Sequence, residues 1–163
     1  MPATPELDRF DIAILDILQT DNTTPQRVIA QAVNLSAPAV QRRIQRLKDS
    51  GVIRANVAVL DPAKVGTPLT IVMEVHLENE RPDCTARLRE RFAAEEAVQQ
   101  CYNVTGQADY LLVVSVASMA DYEALTQRLF EGDDNIKRFR TSVALSSLKT
   151  GLRVPLGSAK PAA

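Results

Sequence analysis

The sequence predicts an α+β protein: a three-helix unit of helix-turn-helix form, then a ferredoxin-like β-α-β-β-α-β domain. Three observations predict it. Apolar residues recur at helical spacing in three short blocks ahead of Gly51. After Gly51 the period changes to extended chain. From Leu69 onward, strand-like and helix-like blocks follow one another in the split β-α-β order.

The first helix is expected over residues 7–20. Asp8, Asp11, Asp16 and Gln19 gather on one side, and Phe10, Ile14, Ile17 and Leu18 on the other. Asp21-Asn22-Thr23-Thr24 breaks the pattern. Pro25 suits the first turn of a second helix, where its missing N–H is not needed. That helix carries the apolar residues Val28, Ile29, Ala32 and Val33 at i, i+1, i+4 and i+5. Asn34 tolerates the left-handed conformation of a helix end, and Ser36 is a good N-cap for a third helix running to about Ser50. The joint Asn34-Leu35-Ser36 is too short for anything but a sharp corner, the form of a helix-turn-helix.

Val52–Leu60 reads as an extended strand, and Asp61-Pro62-Ala63-Lys64-Val65-Gly66 as one helical turn at a domain boundary. Residues 69–78 alternate, with Leu69, Ile71, Met73, Val75 and Leu77 on one face. A helix over 83–95, a strand over 98–105, a turn at Gly106–Asp109, and a strand over 110–117 follow. The last is apolar on both faces, as a central strand should be. A helix over 119–131 and a last strand over 136–148 complete the unit, and Pro155 onward reads as a frayed tail. The expected domains are therefore residues 1–51, the helix-turn-helix domain; 52–66, a linker strand and hinge; 67–150, the ferredoxin-like domain; and 151–163, a tail.

Composition narrows the function. The chain has 163 residues, 45% of them hydrophobic, with a net charge of −1, so it is not basic throughout. No apolar run approaches the roughly 18 residues a membrane-spanning helix needs. The N-terminus lacks the basic-then-apolar pattern of a signal peptide, and the expected location is the cytoplasm. One His and two cysteines, Cys84 and Cys101, exclude a zinc site built from CxxC pairs. Two free thiols are expected, with a single bridge as the alternative. His76, between Glu74 and Glu78, is a weak metal signal and reads as a solvated or interfacial side chain. No Gly-rich phosphate loop, metal cluster or Ser/His/Asp order is present, so neither an enzyme nor a cofactor is expected.

The charges are segregated. Residues 1–21 carry five acidic groups against Arg9, a net of −4. Residues 36–54 carry five basic groups against Asp49, a net of +4. In the third helix Val40, Ile44 and Leu47 form the anchoring stripe, while Pro38, Gln41, Arg42, Gln45 and Arg46 point outward or to the flanks. Arg forks onto guanine and Gln onto adenine in the major groove, and phosphates attract the remaining basic groups. Small residues at the helix start, Ala37, Pro38 and Ala39, would let the backbone approach base edges. The candidate DNA-binding residues are Ser36, Ala37, Pro38, Gln41, Arg42, Arg43, Gln45 and Arg46. The bland alternative is a solvated helix face.

Several motifs in order resemble one family. They are Leu7-Asp8-Arg9-Phe10-Asp11-Ile12-Ala13-Ile14-Leu15, the run from Asn34 to Leu47, Gly51-Val52-Ile53, Leu60–Gly66, and the Gly106-x-x-Asp109-Tyr110 turn. Over residues 5–150 the chain resembles the leucine- and asparagine-responsive (Lrp/AsnC, feast/famine) transcriptional regulators. The resemblance implies a sequence-specific regulator of transcription whose DNA affinity or assembly responds to a free amino acid. It implies homodimers that assemble further, commonly to octamers. It places the effector at Thr105–Asp109, near Met119, and at Ser142, Val143 and Ala144, with Tyr102 lining the site or filling the sheet. Physically, Gly106 leaves backbone N–H groups open for a carboxylate, and Asp109 can pair with an ammonium group or bond its own turn. Gln107 and Ala108 depart from the family's usual turn residues. The rival reading is an architectural DNA-binding protein with no small-molecule effector.

Overall fold

A computed structural model describes residues 6–79 and 81–156. It divides into two compact units, one formed by residues up to 58 together with those from 149 onward, the other by 59–148.

The first unit holds α1 (Arg9–Leu18), α2 (Gln26–Val33) and α3 (Ala37–Asp49). Asp8 caps α1 by accepting from the N–H groups of Phe10 and Asp11, both at 2.9 Å. Asp11 returns the favour, accepting from the Asp8 N–H at 3.2 Å, a capping box with acid at both ends. Pro25 sits at the N-cap of α2, one place earlier than expected. Asn34 closes α2 at φ 55° and ψ 45°, where its side chain tolerates the left-handed region. The Ser36 hydroxyl then accepts from Ala39 N–H and opens α3. Ile14, Ile29, Ala30, Val33, Val40 and Ile44 form the core between the three helices.

The second unit is a four-stranded antiparallel sheet in the order β2-β3-β1-β4, with two helices. Its elements are β1 (Leu69–Leu77), α4 (Pro82–Ala94), β2 (Val98–Asn103), β3 (Tyr110–Val116), α5 (Met119–Phe130) and β4 (Ile136–Val143). One sheet face, led by Ile71, Met73, Val75, Leu112 and Val114, packs with Leu88 and Phe92 of α4 and Leu125 and Leu129 of α5. The opposite face carries Thr70, Val72, Glu74 and His76 of β1, and Leu111, Val113 and Ser115 of β3, by the register of the ladder.

Three expectations are corrected. Val52–Leu60 is not a strand: residues 52–53 bend, and no described segment pairs with 54–60. Asp61–Gly66 is a turn rather than a helical turn, with Asp61 Oδ1 accepting from Ala63 N–H and Gly66 at φ 90°. The last strand stops at Val143, not 148, and Leu145 and Leu148 beyond it are fully open to solvent.

The chain then returns to the first unit. The Gln19 amide donates to the Val154 carbonyl at 2.9 Å and accepts from its N–H at 3.0 Å. Arg153 Nη2 donates to Asp16 Oδ1 at 2.7 Å. The described part of the expected tail is thus a strap on α1; from residue 157 it lies outside the described residues. No described helix is long and apolar enough to cross a membrane.

Candidate functional site

Helix α3 is anchored by Val40, Ile44 and Leu47, all buried, so its outer face is fixed by packing. Pro38, Gln41, Arg42, Gln45 and Arg46 are exposed, and Ala37, Ala39 and Arg43 are half-buried. The Ser36 hydroxyl is occupied as the cap. Gln45 Nε2 donates to Asp49 Oδ1, one turn on, at 2.7 Å. Arg42 has no ion pair among the described residues and stands free. Leu35, Ala39, Arg42, Arg43 and Arg46 line an open groove of about 320 Å³. Three guanidinium groups around one shallow groove make it suited to anionic oxygens.

Two of these arginines are not free. Arg43 Nη1 donates to Asp8 Oδ2 at 2.8 Å and to Asp11 Oδ1 at 2.9 Å. Its guanidinium also lies 5.4 Å from the Phe10 ring centroid. Arg46 Nη2 donates to the other Asp11 oxygen. Burial opposes ionisation of Asp8, but the Asp11 N–H and the Arg43 guanidinium outweigh it and hold the Asp8 carboxyl below its usual range. Burial likewise works against the charge of Arg43, and the Asp11 and Asp8 carboxylates overcome it and raise its pKa. Arg43, one of the DNA-binding candidates of the sequence, is tied to α1. Its partners lie 32 and 35 residues upstream, beyond any local motif. The signal available was the opposed net charge of the first and third helices.

In the second unit the turn from Thr105 to Asp109 joins β2 to β3. Gly106 is exposed at φ 122°, with nothing within 4 Å of where a Cβ would sit. Asp109 is half-buried and does not bond its own turn through its side chain. Its Oδ2 accepts from Leu77 N–H at 2.7 Å, and its own N–H donates to Val75 O at 3.0 Å. The carboxylate thus pins the turn to the end of β1 and leaves Oδ1 unpartnered among the described residues. Tyr102 is half exposed on the edge strand β2, its hydroxyl donating to Gln100 Oε1 at 3.0 Å.

The remaining effector candidates lie elsewhere. Ser142 and Val143 end β4, where they pair with Val72 and Ile71, and the Ala144 N–H donates to Thr70 O. Met119 opens α5, exposed, just after β3 leaves the same end of the sheet. The Thr105–Asp109 turn sits at the opposite end of β1, beside Leu77. Asp109 bonds at Leu77 whereas Ser142 pairs with Val72, five residues back along β1 or roughly 17 Å, and Val143 and Ala144 lie further along. A single protomer does not bring all the predicted effector residues together.

His76, read as solvated or interfacial, is 4% exposed, and its Nε2 has no hydrogen-bond partner among the described residues. Cys84 and Cys101 are separate free thiols. Among the described residues no cluster of His, Cys, Asp and Glu could hold a metal.

A helical unit with an arginine-rich corner helix and a separate αβ unit give the chain the two-domain form of a DNA-binding protein. Comparison with known proteins makes this specific. Residues 7–54 match a winged helix-turn-helix DNA-binding family model, and residues 70–154 match the Lrp/AsnC ligand-binding domain. The chain is 39% identical over 151 residues to an HTH-type transcriptional regulator of Sinorhizobium fredii, covering 93% of this chain and 89% of that one. It superposes with a TM-score of 0.85 on an AsnC family transcriptional regulator from Agrobacterium tumefaciens, at 34% identity, covering 91% of this chain and 97% of that one. A transcriptional regulator from Neisseria meningitidis, solved as a complex with L-Met, gives the same TM-score at 25% identity, covering 93% and 98%. The chain belongs to the Lrp/AsnC family of transcriptional regulators.

Proposed function

We propose that this protein reads operator DNA through α3 and that a free amino acid, bound where copies of the chain meet, alters its assembly or operator affinity. The observation that carries the DNA half is the α3 surface: Gln41 and Arg42 stand free, with Gln45 and Arg46 beside them, on a helix whose other face is locked in the core. Gln41, Gln45 and Arg46 face base edges, and Arg42 reaches phosphate or guanine. Replacing a base-reading arginine should cost about 1–3 kcal/mol of specific binding, and replacing a phosphate contact should lower the salt slope by about one unit. The Arg42→Ala, Arg46→Ala double variant should therefore lose operator binding in a mobility-shift assay while keeping its circular dichroism spectrum. Wild-type affinity in that variant would remove α3 as the reader.

The effector half is supported by the ligand-binding family match, by the L-Met held by one structural relative, and by the split of candidate residues between two ends of the sheet. A site needing both groups is completed by a second copy. The turn around Gly106 offers backbone N–H groups to the carboxylate, and Asp109 Oδ1 offers a charge to the ammonium. A free amino acid carries both. Among the twenty amino acids, one present at 100 times its Kd should stabilise the fold by roughly 2.7 kcal/mol in a thermal-shift screen. Asp109→Asn keeps an acceptor for Leu77 N–H and should abolish that shift. No shift with any of the twenty leaves the architectural reading, DNA binding without an effector.

A further inference from the structure

We propose that Asp11 is a positioning residue for DNA recognition, holding the arginines of α3 in the orientation that reads sequence. The inference rests on the reading of α3 as the DNA-facing helix. Asp11 lies at the third position of α1, and its side chain is wholly buried. Its carboxylate makes three contacts: the Asp8 N–H, Arg43 Nη1 and Arg46 Nη2.

Capping α1 does not account for this arrangement. Asp8 already satisfies two N–H groups at that end. A buried carboxylate is unfavourable unless it is paired, and breaking such a pair is more costly than never having made it. Here both partners come from the recognition helix, three residues apart, on one flank. Two helices distant in sequence are thereby locked through the side chains that the DNA would meet.

The lock leaves the arginines usable. Arg46 remains 57% exposed although one of its terminal nitrogens is held. A guanidinium presents five N–H donors in a rigid fork, and Asp11 takes one from Arg46. The rest face outward with the rotamer already chosen. Arg43 is held more tightly, by two carboxylates, and buttresses the same flank. Arg42, with no such partner, supplies attraction without fixed aim. Asp11 thus acts on sequence discrimination, whereas Arg42 acts on affinity for any duplex.

The test uses the full chain. An operator is selected from random-sequence DNA by the wild-type protein. Dissociation constants are then measured on that operator and on a random duplex, across several salt concentrations. Asp11→Asn keeps the size of the side chain and an acceptor for the Asp8 N–H, but removes the charge. We expect operator affinity to fall tenfold or more while random-duplex affinity holds or rises. The salt slope should steepen by about 0.9 for each phosphate that a released arginine gains. Adding Asp11→Asn to Arg46→Ala should cost little further specificity. A purely structural Asp11 would lower the melting temperature and weaken both duplexes equally, and an unchanged specificity ratio overturns the proposal. Should Asp11→Asn fail to fold, the wild type still decides. The two terminal nitrogens of Arg46 should give separate NMR signals in the free protein, and a single averaged signal overturns the proposal. A wild type that selects no sequence at all fails before any variant is made, and takes the reading of α3 and this inference down together.

Discussion

Asp16 shows how one side chain reports a contact made from the far end of the chain. The Arg153 guanidinium donates to it and holds its carboxyl below the ordinary aspartate value. A depressed folded-state pKa stabilises the fold above the unfolded value, near 3.9, and that contribution is lost as pH falls through the lower folded value. The contact should therefore persist at neutral pH and release only below about pH 4. Arg153→Ala should return the Asp16 carboxyl to its ordinary range in an NMR titration of side-chain carboxyl carbons. An unmoved midpoint would mean that the strap does not hold α1. The residues whose roles were hardest to read share this character. Arg43, Asp109 and Asp16 are all satisfied by partners 32 or more positions away in sequence. Ser36 and Asn34, whose work is done within four residues, were legible at once.

Elements were legible wherever a period met a partner. β1 follows its alternation and β3 its unbroken apolar run because each has a neighbour on both sides, and α3 follows its stripe because α1 and α2 receive it. The extended run after Gly51 and the stretch after Val143 have strand-like composition without a ladder, and composition alone cannot supply one. The helix faces of the second unit meet at Phe92, which packs edge-on to Tyr110 and Phe130 at centroid distances of 5.7 and 6.2 Å. Phe92→Ala should cost about 3–5 kcal/mol, because both neighbours lose a partner and the space cannot close. Urea unfolding would measure it, and a loss under 1 kcal/mol would mean that α4 repacks freely.

For the whole molecule, the two helices of the second unit cover one sheet face, and Val72, Leu111 and Val113 lie half-buried on the other. We expect that face to meet a second copy, giving a dimer at least. Paired recognition helices then read half-sites about one helical turn apart. Val113→Asp should leave the secondary structure intact and yield a monomer by light scattering at micromolar concentration; a persistent dimer would move the interface elsewhere. The effector candidates form one set in the sequence, but the structure does not gather them in one place. Sequence orders residues along a line and does not show that Thr105–Asp109 and Ser142–Ala144 sit at opposite ends of one strand.

The strap from Arg153 and Val154 to α1 also sets the order in which the protein can be made. Gln19 waits 135 residues for the backbone that completes its bonds, and the whole second unit is synthesised in between. The entropy of closing so long a loop grows only logarithmically with its length, and prior folding of the intervening unit shortens the effective loop further. On the ribosome the ligand unit should therefore be compact before α1 receives its last contact. The helical unit thus begins to emerge before the second unit and is completed after it.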